Sequence, residues 1–356
     1  MKRVLLSILC VSAILLAFAQ KPYKVVFYNL ENLFDTINDP NKNDEEYLPE
    51  GARKWTTYRY NQKLANMSRV LFDIAAEDKN FPAVIGVSEI ENRLVLEDLI
   101  ATPKLAKANY RIVHYDSPDR RGVDCAFFYR PDKFQLEGSE AHRISFPGRP
   151  TFFTRDLVAM WGKIEGEPFY FIVSHWPSRL GGKEASQYSR DFVAEKCKHI
   201  CDSVRTANPA TKVVIMGDFN DDATDKSVTD VLGAKGNIEK LEKNDMYNPF
   251  YDMYKAGYGT LGYRDAWNLF DNIVVSENLA TGSTGALKIQ SKPTDKKEKK
   301  SKKSKKSKTF YGNIFYRPYM VQQEGQYKNY PLRSFVGSNF QNGYSDHFPV
   351  YIYISK

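Results

Sequence analysis

Apolar residues along this chain gather in short runs separated by polar stretches, the signature of alternating strands and helices. KVVFYNL (24–30), AVIGVSEI (83–90), CAFFYR (125–130), LVAMWGKI (157–164), FYFIVSH (169–175), KVVIMGDFN (212–220), FDNIVVS (270–276) and PVYIYIS (349–355) read as strands. Between them, YRYNQKLANMSRVLFDIAA (58–76) places Leu64, Met67, Leu71 and Ile74 at helical spacing. RLVLEDLIA (93–101) and the stretch from about Ser186 to Thr206 also predict helices. Helices between strands, with some strands directly adjacent, predict layered α/β with mixed rather than purely parallel sheets. The polar stretch 35–56 is too long for a tight connection and reads as a surface loop bordering a site. There is no internal repeat, so the expectation is one domain over residues 20–356 with decorated loops.

One run ends unusually. In VVIMGDFNDD (213–222), Val213, Val214 and Ile215 predict a strand buried on both faces. Gly217 lets the backbone turn or approach a neighbour closely. Strand alternation then points Asp218 and Asn220 one way and Phe219 into the core. A carboxylate and an amide at a strand tip suit a metal and a phosphate; they equally suit a plain turn.

Composition changes the picture at three places. MKRVLLSILCVSAILLAFAQ opens with a basic pair and an apolar run and closes on Ala17-Phe18-Ala19, the pattern of a secretory signal peptide over 1–19. Later runs fall short of the roughly 18 apolar residues of a spanning helix. The expectation is a secreted or periplasmic protein, without a transmembrane segment and monomeric. Cys125, Cys197 and Cys201 are too few for a disulfide framework, and the i, i+4 spacing of the last two suits small buried residues on one helix face. The net charge of +8 is concentrated: residues 292–308 hold ten lysines against Asp295 and Glu298. Apart from that insert and from Lys2 and Arg3, the chain carries −2. The insert predicts a solvated, disordered loop, either merely solubilising or able to hold polyanions at low salt.

Polar residues recur where the strands end: Asn29, Glu89, His175, Asp218, Asn220, Asp271 and the pair Asp346-His347. Strand ends are where ligand sites gather in α/β layers, because loops vary there without disturbing the core. Singly, each has an ordinary explanation as turn residue, helix cap or satisfied interior histidine; their joint recurrence is less ordinary.

The order of these segments, with GDFN followed by SDH, resembles the endonuclease/exonuclease/phosphatase superfamily, which includes deoxyribonuclease I. SPDRRGVDCAFFYRP (117–131) and SHWPSR (174–179) are also similar to bacterial, often exported, members. The resemblance covers the chain from Asn29 onward and implies a four-layer sandwich: two mixed β-sheets face to face, helices outside. It implies Glu89, Asp346 and Asn29 around a metal, with Glu91 as the rival of Glu89. It implies that Asp218 prepares the attacking water, that Asn220 and Asn29 hold phosphate, and that His347, oriented by Asp271, contacts the scissile phosphate. His175 matches the mid-chain histidine of deoxyribonuclease I, and Arg155 matches, more weakly, a phosphate-contacting arginine. The glutamate that pairs with that histidine falls near Val123, so Asp124 either takes its role or pairs with Arg120 or Arg121.

Such a set has a physical rationale. Hard carboxylate oxygens suit Mg²⁺ or Mn²⁺, with Ca²⁺ a third candidate, and such an ion acts on a phosphoryl oxygen as a Lewis acid. Histidines titrate near neutrality and serve phosphate as proton or hydrogen-bond donors. The expected function is a metal-dependent phosphodiester hydrolase, an endonuclease on DNA or RNA. A phosphatase or phosphodiesterase on sugar, inositol or lipid phosphates would use the same residues. A non-catalytic polyanion-binding envelope protein would need only the fold and the lysine insert.

Overall fold

The computed structural model describes residues 22–263, 265–292 and 309–356. The predicted signal peptide, and the lysine insert apart from Lys292, lie outside the described residues. The sequence runs became strands with little change at their ends. In chain order these are β1 (Tyr23–Leu33), β2 (Val84–Ile90), β3 (Arg111–His114), β4 (Asp124–Tyr129), β5 (Gln135–His142), β6 (Leu157–Ile164), β7 (Glu167–His175) and β8 (Lys212–Asp218). Short strands follow: β9 (Ala234–Lys235), β10 (Met246–Tyr247), β11 (Leu261–Tyr263) and β12 (Ala266–Asn268). The last are β13 (Asp271–Ser276), β14 (Lys288–Gln290), β15 (Gly312–Ile314), β16 (Phe335–Val336), β17 (Asn339–Phe340) and β18 (Val350–Ser355). The main helices are α1 (Thr57–Ala76), α2 (Arg93–Ala101) and α3 (Lys183–Ala207).

Two mixed sheets result. One has the order β14-β18-β1-β2-β4-β3, with β15 also on β18; the other runs β5-β6-β7-β8-β13-β10-β9. Alternation along β1 shows how they stack. Val26, Tyr28 and Leu30 face a core shared with Leu64, Met67, Leu71 and Ile74 of α1. Val25 and Phe27 face the second sheet, meeting Phe171, Val173, Val214 and Met216. On the far side, Val213 and Ile215 of β8 pack against Val193, Ala194, Cys197 and Cys201 of α3. Helix, sheet, sheet, helix: strands buried on both faces are continuous apolar runs because each face has its own partner layer. The three described cysteines are free and buried.

β3 and β5 escaped the hydrophobic pattern because they are half-exposed edge strands with mixed composition. The 35–56 loop is more anchored than its polarity suggests. Trp55 and Tyr47 are buried, Tyr47 stacks on Phe34 at 4.2 Å, and Trp55 Nε1 donates to Phe34 O at 2.9 Å.

The connectivity concentrates polar strand ends at one rim. β1 runs parallel to β2 and β7 parallel to β8, so Asn29 lies opposite Ser88 and His175 opposite Asp218. β13 is antiparallel to β8 and therefore begins where β8 ends, with Asp271 opposite Asp218. β18 is antiparallel to β1, which delivers His347 to the same rim just before Val350 pairs with Phe27.

Candidate active site

Asp218 is the hub. Its Oδ2 accepts from Asn29 Nδ2 at 3.0 Å and lies 3.6 Å from His175 Nε2 and 3.7 Å from His347 Nε2. Its Oδ1 accepts the backbone N–H of Asn220 at 2.9 Å. Asn220 does not continue the strand. It sits in the left-handed region at φ +50°, so a turn, not strand alternation, brings it beside Asp218. Gly217 is needed for close approach rather than turning: a Cβ there would lie 2.0 Å from Ser174 O on β7. Phe219 points into the core as expected and stacks on Trp176 at 4.2 Å. Trp176 O then accepts both Asn220 Nδ2 and Arg155 Nη2, at 2.9 and 2.8 Å.

Glu89 reaches the site through a bulge. β2 pairs with β4 through Ser88 and Ile90, and Glu89 between them adopts φ +58°. The unpaired residue of a bulge is re-aimed out of the ladder, and strain of this kind persists where surrounding contacts enforce it. Here Asn29 Nδ2 at 3.3 Å and Asn32 N at 3.1 Å hold its two carboxylate oxygens. Glu91 points elsewhere: it accepts Asp35 N at 2.7 Å, and burial pushes its carboxyl up to about 8. Asn29 is fully buried, its Nδ2 shared by two carboxylates and its Oδ1 accepting Glu31 N. It braces the acidic groups from beneath.

His347 is the best-anchored histidine. Its Nδ1 is 2.8 Å from Asp271 Oδ2, and Asp271 also accepts a bond from Thr260 Oγ1. The backbone N–H of His347 donates to Ser345 Oγ, which donates to Asn29 O, tying the last loop to β1. Burial favours the neutral imidazole, but Asp271 and then Asp218 outweigh it and hold the pKa well above the ordinary value. His175 behaves oppositely. Burial, then the charges of Arg155, Arg121 and His347, push it well below the ordinary value, and its Nδ1 is buried without a partner. Asp218 is pushed up to about 6, mainly by burial, against the pull of His347. One cationic and one neutral imidazole therefore flank one carboxylate.

Asp124 does not serve His175. Its Oδ2 lies 3.0 Å from His114 Nε2 on neighbouring β3, and its Oδ1 accepts Ser117 N and Oγ. The pairing with Arg120 or Arg121 is not made either: Asp119 takes Arg121 at 3.8 Å and Arg155 Nη1 at 3.2 Å. Arg155 lines the cleft, but its guanidinium is largely occupied by Asp119 and Trp176 O. Asp346 stands apart from the Glu89–His175–Asp218 cluster; Arg333 Nη2 holds one oxygen at 2.6 Å, while the other is 3.9 Å from His347 Nε2.

Several supporting residues carried no signal in the sequence, because an interior aspartate, threonine or serine is not distinctive. Asp119, Thr260 and Ser345 are of this kind. Arg179 of SHWPSR could have been suspected. Its Nε donates to Asn220 O at 2.8 Å and its Nη2 reaches Asp225 at 2.7 Å, fixing the turn after GDFN. The cleft above these groups has a volume of about 600 Å³ and continues past Arg120, Arg121 and Arg149.

The arrangement is matched by the sequence profile described as the endonuclease/exonuclease/phosphatase family, over residues 24–356. The chain belongs to that family. Membership makes it, by class, a phosphoester hydrolase, and the acidic and histidine groups at the rim fit the divalent metals such enzymes usually use. No curated protein sequence matches the chain. The fold is shared with D. rerio TDP2 complexed with single-strand DNA product: 15% identity, TM-score 0.53, covering 95% of this chain and 100% of that one. It is shared with a mannosyl-6-phosphatase of Bacteroides thetaiotaomicron at 18% identity and TM-score 0.51, covering 94% and 100%. The catalytic domain of human Nocturnin with bound sulfate is similar at 14% identity and TM-score 0.52, covering 94% of each. Among the described residues, no helix is long and apolar enough to cross a membrane.

Proposed function

We propose that the protein is an exported, divalent-metal-dependent phosphodiesterase that hydrolyses nucleic-acid strands. The observation that carries this is Asp218: a buried carboxylate shared with Asn29 and set between two imidazoles of opposite charge preference. A residue set that only stabilised the fold would not open on a cleft.

Glu89 is the residue that would hold the metal, since its two oxygens are oriented by Asn29 and Asn32 and lie beside Asp218. Asp346, the other carboxylate the family resemblance gives to the metal, stands outside that cluster, with one oxygen on Arg333 and the other 3.9 Å from His347 Nε2. All are hard oxygen donors, matched to Mg²⁺ or Mn²⁺. When bound, such an ion polarises a phosphoryl oxygen and steadies the leaving oxygen. Asp218, ionised above about pH 6, accepts the proton of the attacking water. His347, cationic at neutral pH because Asp271 holds its Nδ1, presents Nε2 to a phosphate oxygen as charge builds. Neutral His175 and the Asn220 amide complete the polar rim. The arginines along the cleft supply charge for a strand that continues beyond the cleaved bond, which favours a diester over a small monoester.

The test is an activity panel with the mature chain: plasmid, single-stranded DNA, RNA, bis(4-nitrophenyl) phosphate and sugar monophosphates, with Mg²⁺ or Mn²⁺ and with chelator. Chelator-sensitive cleavage of the diesters is expected, and Glu89→Gln should abolish both cleavage and the Mg²⁺-induced rise in melting temperature. Wild-type rates in Glu89→Gln or Asp218→Asn, or hydrolysis confined to monoesters, would refute the reading. Deleting residues 296–308 should flatten the salt dependence of DNA binding; an unchanged slope removes the insert as a polyanion contact.

A further inference from the structure

The β3–β4 connection closes on a third group of ligand-type side chains, separate from the two groups that contain Asp218. His114 is the last residue of β3 and Asp124 the first of β4. The pairing sets His114 opposite Ala126, and alternation puts Asp124 on the same face as Ala126, so the imidazole and the carboxylate meet. Asp116 follows His114 by two residues and returns to the same point. His114 Nε2 lies 3.0 Å from Asp124 Oδ2 and 3.9 Å from Asp116 Oδ1, and the three ligand atoms lie within 4.8 Å of one another.

Two features set this group apart from an ordinary histidine–carboxylate pair. Among the described residues, neither Asp116 nor Asp124 pairs with a lysine or arginine, so two carboxylates share one imidazole. A cation is the natural counterpart of such a set. Asp124 is also held in place from behind: its Oδ1 accepts Ser117 N at 2.9 Å and Ser117 Oγ, leaving Oδ2 aimed at His114. Ligating carboxylates are ordinarily braced in this way by their surroundings. The side chains of His114 and Asp124 are almost wholly buried, whereas Asp116 is 83% exposed and opens the group to solvent.

We infer that His114, Asp116 and Asp124 form a Zn²⁺ site that clasps the base of the β3–β4 loop. Zinc bonds of about 2.0–2.2 Å put neighbouring ligands of a tetrahedron about 3.3–3.5 Å apart, between the 3.0 and 3.9 Å separations found here. One imidazole with two carboxylates suits zinc, whereas Mg²⁺ and Ca²⁺ take oxygen throughout. The fourth position is left to water. The loop closed in this way, 115–123, carries Asp119, which holds Arg155 at 3.2 Å, and Arg120 and Arg121 of the cleft wall. The clasp stiffens that wall from its root.

The test uses the mature Asp218→Asn protein, in which both groups at the rim lose their shared carboxylate. Calorimetry with Zn²⁺ alone should still find one ion per chain, and Co²⁺ in its place should give the visible absorption of a four-coordinate site. Asp116→Asn added to that background should weaken Zn²⁺ by at least about tenfold, since losing a ligand costs no less than losing its support. Because Asp116 is exposed, this change leaves the fold intact, and an unchanged melting temperature without zinc checks it. His114→Ala should abolish both the zinc uptake and the cobalt spectrum. In Asp218→Asn, Zn²⁺ should slow tryptic cleavage after the exposed Arg120 and Arg121, and it should not do so once Asp116→Asn is added. No zinc uptake by Asp218→Asn, or equal affinity with and without Asp116→Asn, overturns the site. Zinc uptake with unaltered tryptic cleavage overturns the clasp. None of these readouts needs turnover, so the site stands or falls apart from the phosphoesterase reading.

Discussion

Replacing Asp271 by Asn tests the electrostatics of the site most directly. Shape is kept and one charge is removed from a 2.8 Å contact with His347 Nδ1. Burial disfavours the imidazolium, and Asp271 is the main group opposing it. A charge-assisted hydrogen bond is worth about 1.5–3 kcal/mol. Its loss leaves burial less opposed and lowers the His347 pKa. The sign follows from the direction of the shift. His347 is raised in the folded protein, so its proton is held through neutral pH and lost only as pH rises through the elevated value. In Asp271→Asn that loss moves toward acid. The assay is kcat/KM for bis(4-nitrophenyl) phosphate at saturating Mg²⁺ from mildly acid to alkaline pH, paired with an NMR titration of the His347 ring. The alkaline limb should move to lower pH, and the rate at pH 8 should fall by roughly 10²-fold, with a smaller loss at pH 6. An unmoved alkaline limb, or an equal loss at every pH, refutes the account of Asp271 as the holder of that proton.

Three further outcomes are expected. The wild-type rate should fall as pH drops through about 6, where Asp218 takes up a proton, and no such limb should survive in residual Asp218→Asn activity; a wild-type profile flat to pH 5 contradicts Asp218 as the base. Lys63→Met removes a buried ammonium that donates to Ser334 Oγ at 2.7 Å and Tyr344 O at 2.8 Å and faces Glu31. Urea unfolding should show a loss of about 3 kcal/mol, the low end for breaking a buried pair, because Glu31 already titrates near 7 and can neutralise itself; a loss under about 1 kcal/mol would match an exposed pair instead. Cys125, Cys197 and Cys201 are buried, and burial pushes the Cys201 thiol up to about 12; Ellman's reagent should label none of them until the protein unfolds, so labelling at any of these three positions in the native protein would show an open core.

The main strands and helices were legible in the chain because each is amphipathic or wholly apolar on its own terms. Val26, Tyr28 and Leu30, like Leu64, Met67 and Leu71, announce burial through spacing alone. The polar residues at strand ends were legible too, since a carboxylate or histidine closing an apolar run is conspicuous wherever the chain goes next. Edge strands β3 and β5 were not, because a half-exposed strand carries no continuous run.

What the tertiary structure decided was which polar end meets which. In the sequence Asp124 was open to His175 or to Arg120 or Arg121, but the β3–β4 pairing gives it to His114. The family resemblance favoured Glu89 over Glu91, but what aims Glu89 into the site is a bulge in β2, and a bulge depends on how the neighbouring strand registers. The opposite charge preferences of His175 and His347 arise from burial and from carboxylates distant in sequence, Asp271 among them. Local spacing sets the period of a strand or helix, whereas the field at a titrating group is a sum over whatever the fold brings near. The first is written residue by residue along the chain; the second exists only once the layers have closed.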